Sequence, residues 1–228
     1  MKSIILMILI TGFALSLSAQ DCQGFVPTTV NSVLEYNHLN AKGKIESSHK
    51  SILKEIVNNA GALIFKTQNT YFDDKGKEVY KSDFEYICKD GVISFNLSNM
   101  FDQSMMSQYQ TMEMKVESDK MEIPAVLTAG QKLNDGTATI TILNQGVKMM
   151  TMNMTVTNRK VEAVENVTVP AGTFPCYKIT YDVETKVMFK VQVKAVDWYS
   201  MNVGLIKSES YDKNGKLTGS TELKSYSK

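Results

Sequence analysis

The sequence predicts a mainly β protein, built as a strongly curved antiparallel sheet or open half-barrel with one or two short helices. Three observations support this fold class. Apolar and polar residues alternate with a period of two along much of the chain, as in strands with one buried and one solvated face. Short segments containing Asn, Asp and Gly separate these runs, as in hairpins. No low-complexity linker divides the chain, which predicts a single mainly-β domain over residues 20–228.

The N-terminal residues have the three-part layout of a secretory signal peptide. Lys2 supplies the positive start, residues 4–15 form an apolar run, and small residues end at Ala19. This run is shorter than the roughly 20 residues of a membrane-spanning helix. We therefore expect a signal peptide over residues 1–19, export to the periplasm or outer envelope, and no membrane span after cleavage.

Several turns share one sequence pattern, in which an aromatic residue is followed by a polar loop and then by Gly-Lys. Gly adopts the positive φ that such loops require, and Asn or Asp accepts hydrogen bonds from the local backbone. We expect each turn to join two antiparallel strands as a hairpin. The turns occupy residues 36–44, 71–77 and 211–216, and residues 89–92 form a shorter turn of the same chemistry.

Period-two alternation is clearest in the second half of the chain. Runs of this kind occupy residues 150–157, 175–183 and 187–195, and a further strand is predicted over residues 161–169. Pro170 and Gly172 stand at the second and fourth positions of a predicted type I turn that joins two of these strands. We assign these two residues a structural role.

Two segments are less typical of strands. Residues 98–110 carry Phe101, Met105 and Tyr109 at four-residue spacing, which predicts a short helix. Residues 51–58 fit either a helix or a strand, and the hairpin context favours a strand.

Three cysteines follow the signal peptide: Cys22, Cys88 and Cys176. An odd number in an oxidising compartment indicates one disulfide and one further thiol. Of the three pairings, we favour Cys22–Cys88, because a bond near the mature N terminus would secure a loose end. A lipid anchor on Cys22 is not expected, since Asp21 precedes it. The cysteine spacing matches no zinc motif, and we expect no metal or other cofactor.

The charge balance is near neutral. Without Lys2, the chain has 24 basic and 24 acidic residues. Such a chain has no overall electrostatic signature for nucleic acid or an anionic membrane, and we expect no nucleic-acid partner. A local basic patch stays compatible with this balance.

Methionine is the unusual residue, since ten of the fourteen lie between residues 100 and 154. Flexible, polarisable methionines suit surfaces that accept variable apolar partners. The candidate ligand contacts are Met112, Met114, Met150, Met152 and Met154. They either line an apolar groove for a lipid, acyl chain or hydrophobic peptide, or fill the core. Trp198, the only tryptophan, either lines a pocket mouth or caps the core.

A catalytic site is not evident. His38 and His49 lie in polar segments and are expected at the surface, and no nucleophile, phosphate-binding or calcium motif occurs. A glycosidase would need two carboxylates about 5 to 10 Å apart. The candidates alternate with apolar residues, as a solvated sheet face would: Glu113, Glu117, Asp119, Glu122, Glu162, Glu165, Asp182 and Glu184.

Scattered motifs resemble the TapB-like family of exported, uncharacterised bacterial envelope proteins. The most specific is the V-P-A-G-T-F-x-C-x-K run within residues 165–178; others are Cys88-Lys89-Asp90-Gly91, Ile123-Pro124, residues 130–133, Trp198-Tyr199, residues 203–207 and residues 211–216. The resemblance implies an exported, non-enzymatic protein of unknown role, with no catalytic residues to transfer. The wider set is distantly similar to lipoprotein-carrier folds, in which a curved sheet wraps around helices and holds acyl chains. Few helical signals occur here.

These observations predict an exported, non-enzymatic envelope protein that binds an apolar ligand or lipid in a Met-lined β groove. One alternative is a structural or partner-binding envelope module with a filled core. A second is a carboxylate-dependent hydrolase. A cavity lined by Met150, Met152 and Met154 would favour the first hypothesis. A filled interior with an exposed apolar edge or patch would favour the second, and two buried carboxylates facing each other in a cleft would favour the last.

Overall fold

The computed structural model describes residues 24–101, 109 and 111–228. Among these, thirteen strands and one 3-10 helix, η1 (Leu97–Met100), account for the regular structure. The strands are β1 (Val33–Asn40), β2 (Ile45–Asn59), β3 (Ala62–Phe72), β4 (Glu78–Lys89), β5 (Val92–Asn96), β6 (Glu113–Ser118), β7 (Lys120–Pro124), β8 (Gly136–Asn144), β9 (Val147–Val169), β10 (Gly172–Lys186), β11 (Lys190–Ser200), β12 (Gly204–Tyr211) and β13 (Leu217–Ser227). The predicted signal peptide and Cys22 lie outside the described residues.

All the strands belong to one antiparallel sheet, in the order β6-β8-β9-β10-β11-β12-β13-β1-β2-β3-β4-β5-β7. Pairing of β1 with β13 joins the first and last strands. The sheet curves until it nearly closes on itself, and the fold class predicted from the sequence is confirmed.

The two edge strands, β6 and β7, are separated along the chain by Asp119 alone. The backbone N–H and hydroxyl of Thr137 donate to the Asp119 carboxylate at 2.8 and 2.9 Å, and these bonds lower its pKa. The Asp119 carbonyl accepts the N–H of Leu97, at the start of η1. One residue therefore ties together the two edges and the helix.

The predicted Gly-Lys turns all form hairpins, between β1 and β2, β3 and β4, and β12 and β13. Each opens with a side-chain Oδ1 that accepts backbone N–H groups two and four residues further on, at 2.8 to 3.2 Å. The glycine before each lysine has a φ of 75 to 79°, which a residue without Cβ adopts at no steric cost. The acceptors are Asn40, Asp73 and Asp212.

The core consists of three hydrophobic clusters. The largest includes Ile142, Met152, Val156 and Val161, all fully buried on β8 and β9. The second lies where the β9–β10 turn meets β13, and the Ala171 N–H donates there to the carbonyl of Leu223. The third gathers residues of β2 to β5 and Val26, which precedes β1.

Three local predictions meet different outcomes. Residues 51–58 lie in β2, as the hairpin context indicated. The predicted helix over residues 98–110 corresponds at its start to η1, and most of the remainder lies outside the described residues. The strand predicted to start at Val187 begins at Lys190 instead, because residues 187–189 form the tip of a hairpin. Within the described part of the chain, no helix has the length and apolarity needed to cross a membrane.

Candidate ligand-binding site

The curved sheet encloses a cavity of about 350 Å³, which we call the polar cavity. Its wall is rich in aromatic rings from β1 to β5 and from β10 and β11. The ring of His49 stacks between Tyr36 and Tyr71, with centroid distances of 4.5 and 5.3 Å. Phe84 lies 4.7 Å from Tyr86 by the same measure. These rings give the cavity flat apolar surfaces.

A buried carboxylate, Asp197, lies on the wall of the polar cavity. Its Oδ2 atom accepts hydrogen bonds from the hydroxyls of Tyr181 at 2.8 Å and Tyr199 at 3.2 Å. Burial raises the pKa of Asp197, although the hydroxyls of Ser208, Tyr181 and Tyr199 oppose this effect. Burial and the nearby carboxylate raise the pKa of both tyrosines well above their ordinary value, which keeps them as donors.

Two acceptor atoms at this cavity have no protein donor at hydrogen-bonding distance and angle, although the Ser208 hydroxyl lies close enough to lower the pKa of Asp197. The Oδ1 atoms of Asp197 and Asn69 are buried and accept no hydrogen bond from any residue in the described ranges. Both residues line the polar cavity. Because a buried acceptor without a partner costs about 1 to 3 kcal/mol, this pair favours a bound group that donates hydrogen bonds.

Arg159 is the positive group that acts on Asp197. Its guanidinium is buried and donates to the carbonyl oxygens of Asn134 at 2.8 Å and Glu122 at 3.2 Å. Burial lowers the pKa of Arg159, while Tyr199, Tyr181 and Asp197 act in the opposite direction. Its positive field helps to offset the charge of Asp197 without a direct ion pair.

A histidine pair forms another part of the wall. His38 Nε2 lies 2.8 Å from His49 Nδ1, and His38 Nδ1 lies 2.9 Å from Thr221 Oγ1. Burial and the neighbouring His38 lower the pKa of His49 to about 3, so its ring is neutral near pH 7. The expectation that both histidines lie at the surface is wrong. They occupy adjacent paired strands and contact each other inside the sheet.

A second cavity, of about 540 Å³, adjoins the polar cavity, and we call it the apolar cavity. The two cavities share Met100, Tyr181 and Ser208. The other residues that line it are mostly aliphatic and come from the end of η1, from β9 to β12 and from the β10–β11 turn: Phe101, Met154, Val183, Thr185, Val187, Val193, Ala195 and Ser210.

The five candidate methionines occupy different environments. Met154 is buried and lines the apolar cavity. Met152 is fully buried within the first cluster, and Met150 and Met112 pack partly buried against it. Met114 is exposed on edge strand β6. The structure therefore brings only Met154 of this set to a cavity wall.

Trp198 lies in the second cluster rather than at either cavity. Its Nε1 donates to Glu165 Oε1 at 2.6 Å, and the lysines at 178 and 207 lie 5.9 and 5.7 Å from the ring centroid. One carboxylate and two cations thus surround a mostly buried ring. This is the arrangement of an indole that closes the end of a core.

The remaining assigned residues are structural in position. Pro170 and Ala171 form the two-residue connection of β9 and β10, and Gly172 has a φ of 131°. Cys176 is a free, buried thiol. Its Sγ donates to the Phe174 carbonyl at 3.4 Å. The predicted pairing of Cys22 and Cys88 stays a prediction.

The candidate hydrolase carboxylates do not meet at the polar cavity. Most engage neighbouring side chains: Glu117 with Lys115, Glu122 with Asn134, Glu162 with Lys178, Glu165 with Trp198, Asp182 with Asn158, and Glu184 with Lys190. Asp197 is the only carboxylate on the wall of that cavity among the described residues. Nor do three or more His, Cys, Asp or Glu side chains of the described part form a group that could hold a metal ion.

Sequence reasoning gave no role to Asp197, Asn69 or Arg159. A signal for Asp197 was present, because it continues the apolar series that includes Val193 and Ala195 on β11. A carboxylate at an inward position of an alternating strand must be buried with partners.

Comparisons with known proteins identify a family. The sequence model of the DUF3108-like family matches residues 31–223, and the chain belongs to this family. A "putative lipoprotein" of Parabacteroides distasonis is similar in structure, with a TM-score of 0.78 and 23% identity over 91% of this chain and all of that one. A "putative exported protein with YmcC-like fold" of Bacteroides fragilis is similar with a TM-score of 0.77 and 22% identity over the same shares. These likenesses show the fold. No protein with a curated description matches the sequence.

Proposed function

We propose that this DUF3108-like protein is an exported envelope protein that binds one amphipathic ligand inside its curved sheet. The polar part of the ligand lies in the polar cavity, against Asp197 and Asn69. Its apolar part extends along the apolar cavity, against Met154, Val183 and Val193. The observation that carries the proposal is the adjacency of the two cavities, which share three residues, together with the two unpartnered acceptor atoms in the first of them.

The size of the cavities suits a small ligand. Typical ligand pockets measure about 300 to 1,000 Å³, with mostly apolar walls and a few placed polar groups. The volumes here, about 350 and 540 Å³, fall within that range. A core with no function beyond stability would be expected to close spaces of this size, because voids forgo packing energy.

The polar contacts define the chemistry of the ligand. Asp197 Oδ1 and Asn69 Oδ1 are acceptors, so the matching ligand carries hydroxyl, amide or ammonium donors. The aromatic wall accommodates the apolar or cationic part adjacent to those donors. A lipid with a donor-bearing head group fits both requirements.

This arrangement keeps only one of the five methionines that the sequence predicted as ligand contacts. We retain Met154 as a ligand contact. Met150, Met152 and Met112 support the wall from the packed core, and the exposure of Met114 leaves it outside the site. In this proposal Trp198 caps the end of the core and does not line a pocket mouth.

Export is part of the proposal. Residues 1–19 have the layout of a signal peptide, and the two similar structures are described as a lipoprotein and an exported protein. We also propose the Cys22–Cys88 disulfide, supported by the free and buried state of Cys176. Among the alternatives, a filled core agrees less well with the two cavities, and a hydrolase lacks a second carboxylate on the described wall of the polar cavity.

Native mass spectrometry of the mature protein, purified gently from its own envelope fraction, tests the proposal. We expect one extra mass of a few hundred daltons, on the order of what such cavities hold, lost on denaturation. A bare polypeptide mass from envelope material would contradict constitutive binding. The denatured spectrum also tests the disulfide, which predicts a mass two hydrogens below that of the reduced chain.

A further inference from the structure

The hairpins of this sheet divide its charged residues unequally between its two ends. Turns between consecutive neighbours of an antiparallel sheet alternate from one end to the other. One end therefore carries the β1–β2, β3–β4, β8–β9, β10–β11 and β12–β13 turns, and we call it the lysine end. The other end carries the β2–β3, β4–β5, β7–β8, β9–β10 and β11–β12 connections.

The lysine end is strongly basic. Counting each of these five turns with two strand residues on either side, this end has nine lysines against five acidic residues. Glu113, which begins β6 opposite Leu143, is a sixth acid and leaves a net charge of +3. The same count at the opposite end gives two lysines and two aspartates, a net charge of zero. The formal charge of the whole chain is only +1. The lysines are Lys42, Lys44, Lys75, Lys77, Lys148, Lys186, Lys190, Lys213 and Lys216.

Four of the five acidic residues in these turns are already engaged, and Asp74 is the fifth. Asp73 and Asp212 accept backbone N–H groups within their own turns, Glu46 accepts from Asn40, and Glu78 pairs with Lys81. Of the nine lysines, only Lys190 forms an ion pair with another described residue, Glu184. Eight ammonium groups are therefore available to an external anionic surface.

Apolar side chains project from the same end. Met188 and Phe189, at the tip of the β10–β11 turn, are 80% and 79% exposed. Val147 and Met149, beside the neighbouring β8–β9 turn, are 64% and 60% exposed. Exposed large apolar residues grouped in this way mark an interaction site.

The apolar tip is continuous with the apolar cavity. Val187 lines that cavity, and the next two residues of the chain are the exposed Met188 and Phe189. Lys186 and Lys190 flank this tip on either side. Apolar residues between basic ones are the composition of a segment that inserts into a lipid interface while lysines contact anionic head groups.

We propose that the lysine end docks on an anionic phospholipid surface, with Met188 and Phe189 inserted among the lipids. A nucleic acid would match the lysines but not the two exposed apolar side chains. Docking in this orientation places the apolar cavity directly beside the membrane. The proposal does not depend on occupancy of the cavities, since the surface residues bind whether or not a ligand is bound.

Flotation with vesicles tests this docking. The probes are vesicles of phosphatidylcholine with 30% phosphatidylglycerol, vesicles of phosphatidylcholine alone, and a DNA duplex. We expect binding to the anionic vesicles that weakens with salt, and much weaker binding to the neutral ones. Equal binding to both vesicles, no binding to either, or binding to DNA alone would overturn the proposal.

Matched variants locate the contact. The change of Lys148 and Lys186 to Gln is expected to weaken binding by about 25-fold, at about fivefold for each lysine. The change of Lys89 and Lys132 to Gln, at the opposite end, is expected to leave it unchanged. Met188→Ser with Phe189→Ser is expected to reduce binding by about tenfold or more, whereas Val126→Ser, an equally exposed residue at the opposite end, is not. Equal loss at both ends would refute docking through the lysine end.

Insertion of the tip has its own readout. In a Phe189→Trp variant, the new indole is exposed, whereas Trp198 is buried and supplies a constant background. We expect a blue shift of the emission on addition of anionic vesicles. An unshifted spectrum under conditions of full binding would show that the tip does not insert.

Discussion

Lowering the pH from 7.5 to 5.0 should destabilise this protein through a half-buried ring on the wall of the polar cavity. His49 has a pKa of about 3 in the folded state because it is buried and lies against His38. An unfolded histidine has a pKa near 6.5. The folded-state pKa is depressed, so the stability that depends on a neutral His49 is fully present above pH 6.5 and is lost as the pH falls below that value.

The size of the effect follows from proton linkage. Each pH unit below 6.5 costs up to about 1.4 kcal/mol for one proton taken up on unfolding. Between pH 7.5 and 5.0 the maximum loss is about 2 kcal/mol. The expected loss is about 1 to 2 kcal/mol, the lower figure allowing for solvent that reaches part of the ring.

Urea unfolding followed by circular dichroism at pH 5.0, 6.0 and 7.5, at constant ionic strength, measures this loss. A His49→Gln variant is the control, because it removes the titrating group while keeping a polar side chain. Between pH 7.5 and 5.0, the free energy of unfolding of this variant should fall by about 1 to 2 kcal/mol less than that of the unchanged protein. Burial raises the pKa of Asp197, so this carboxyl stabilises the fold as the pH falls, opposite to His49. The contribution of Asp197 is the same in both proteins and cancels when their pH dependences are compared. An identical pH dependence for the two proteins would refute the reasoning.

Two further predictions concern the core. Ile142→Ala should lower the free energy of unfolding by about 3 to 4 kcal/mol, because the side chain is fully buried in the first cluster. Val164→Ala, at a largely exposed position, should lower it by less than about 0.5 kcal/mol. Similar losses for the two variants in urea unfolding would contradict the described packing. Burial raises the pKa of the Cys176 thiol to about 11, so Ellman's reagent at pH 8 should label it only after denaturation, and rapid labelling of the folded protein would contradict its burial.

Local patterns predicted the strands and turns because each depends on neighbouring residues. The run over residues 150–157 has buried Met152, Met154 and Val156 alternating with more exposed residues, as expected from period two. The three Gly-Lys turns form hairpins because their glycines and Asn or Asp side chains favour that geometry without distant contacts.

The polar cavity could not be predicted in the same way. Asp197 and Asn69 lie on β11 and β3, far apart in sequence, and share a cavity only because the sheet curves. His38 and His49 come together through the register of two strands, which no local pattern specifies. The methionine-rich sequence predicted a ligand groove on β9, but most of the methionines there pack in or against the core.

The lysine end illustrates the same limit for charge. The near-neutral balance of the sequence averages over residues that the topology separates. Lys42 and Lys216 are 174 positions apart, yet both belong to turns at one end of the sheet, because β1 pairs with β13. Strand order, rather than composition, produces the basic surface.

The most direct test of the central claim is a titration with 1-N-phenylnaphthylamine, a small apolar fluorophore with one N–H donor. We predict saturable binding of one equivalent to the delipidated protein. Val193→Trp, which fills the apolar cavity, should weaken this binding by about tenfold or more, while Val164→Trp, on the exposed part of β9, should not change it. Binding that does not saturate, or that is equally affected by both variants, would contradict an internal ligand site.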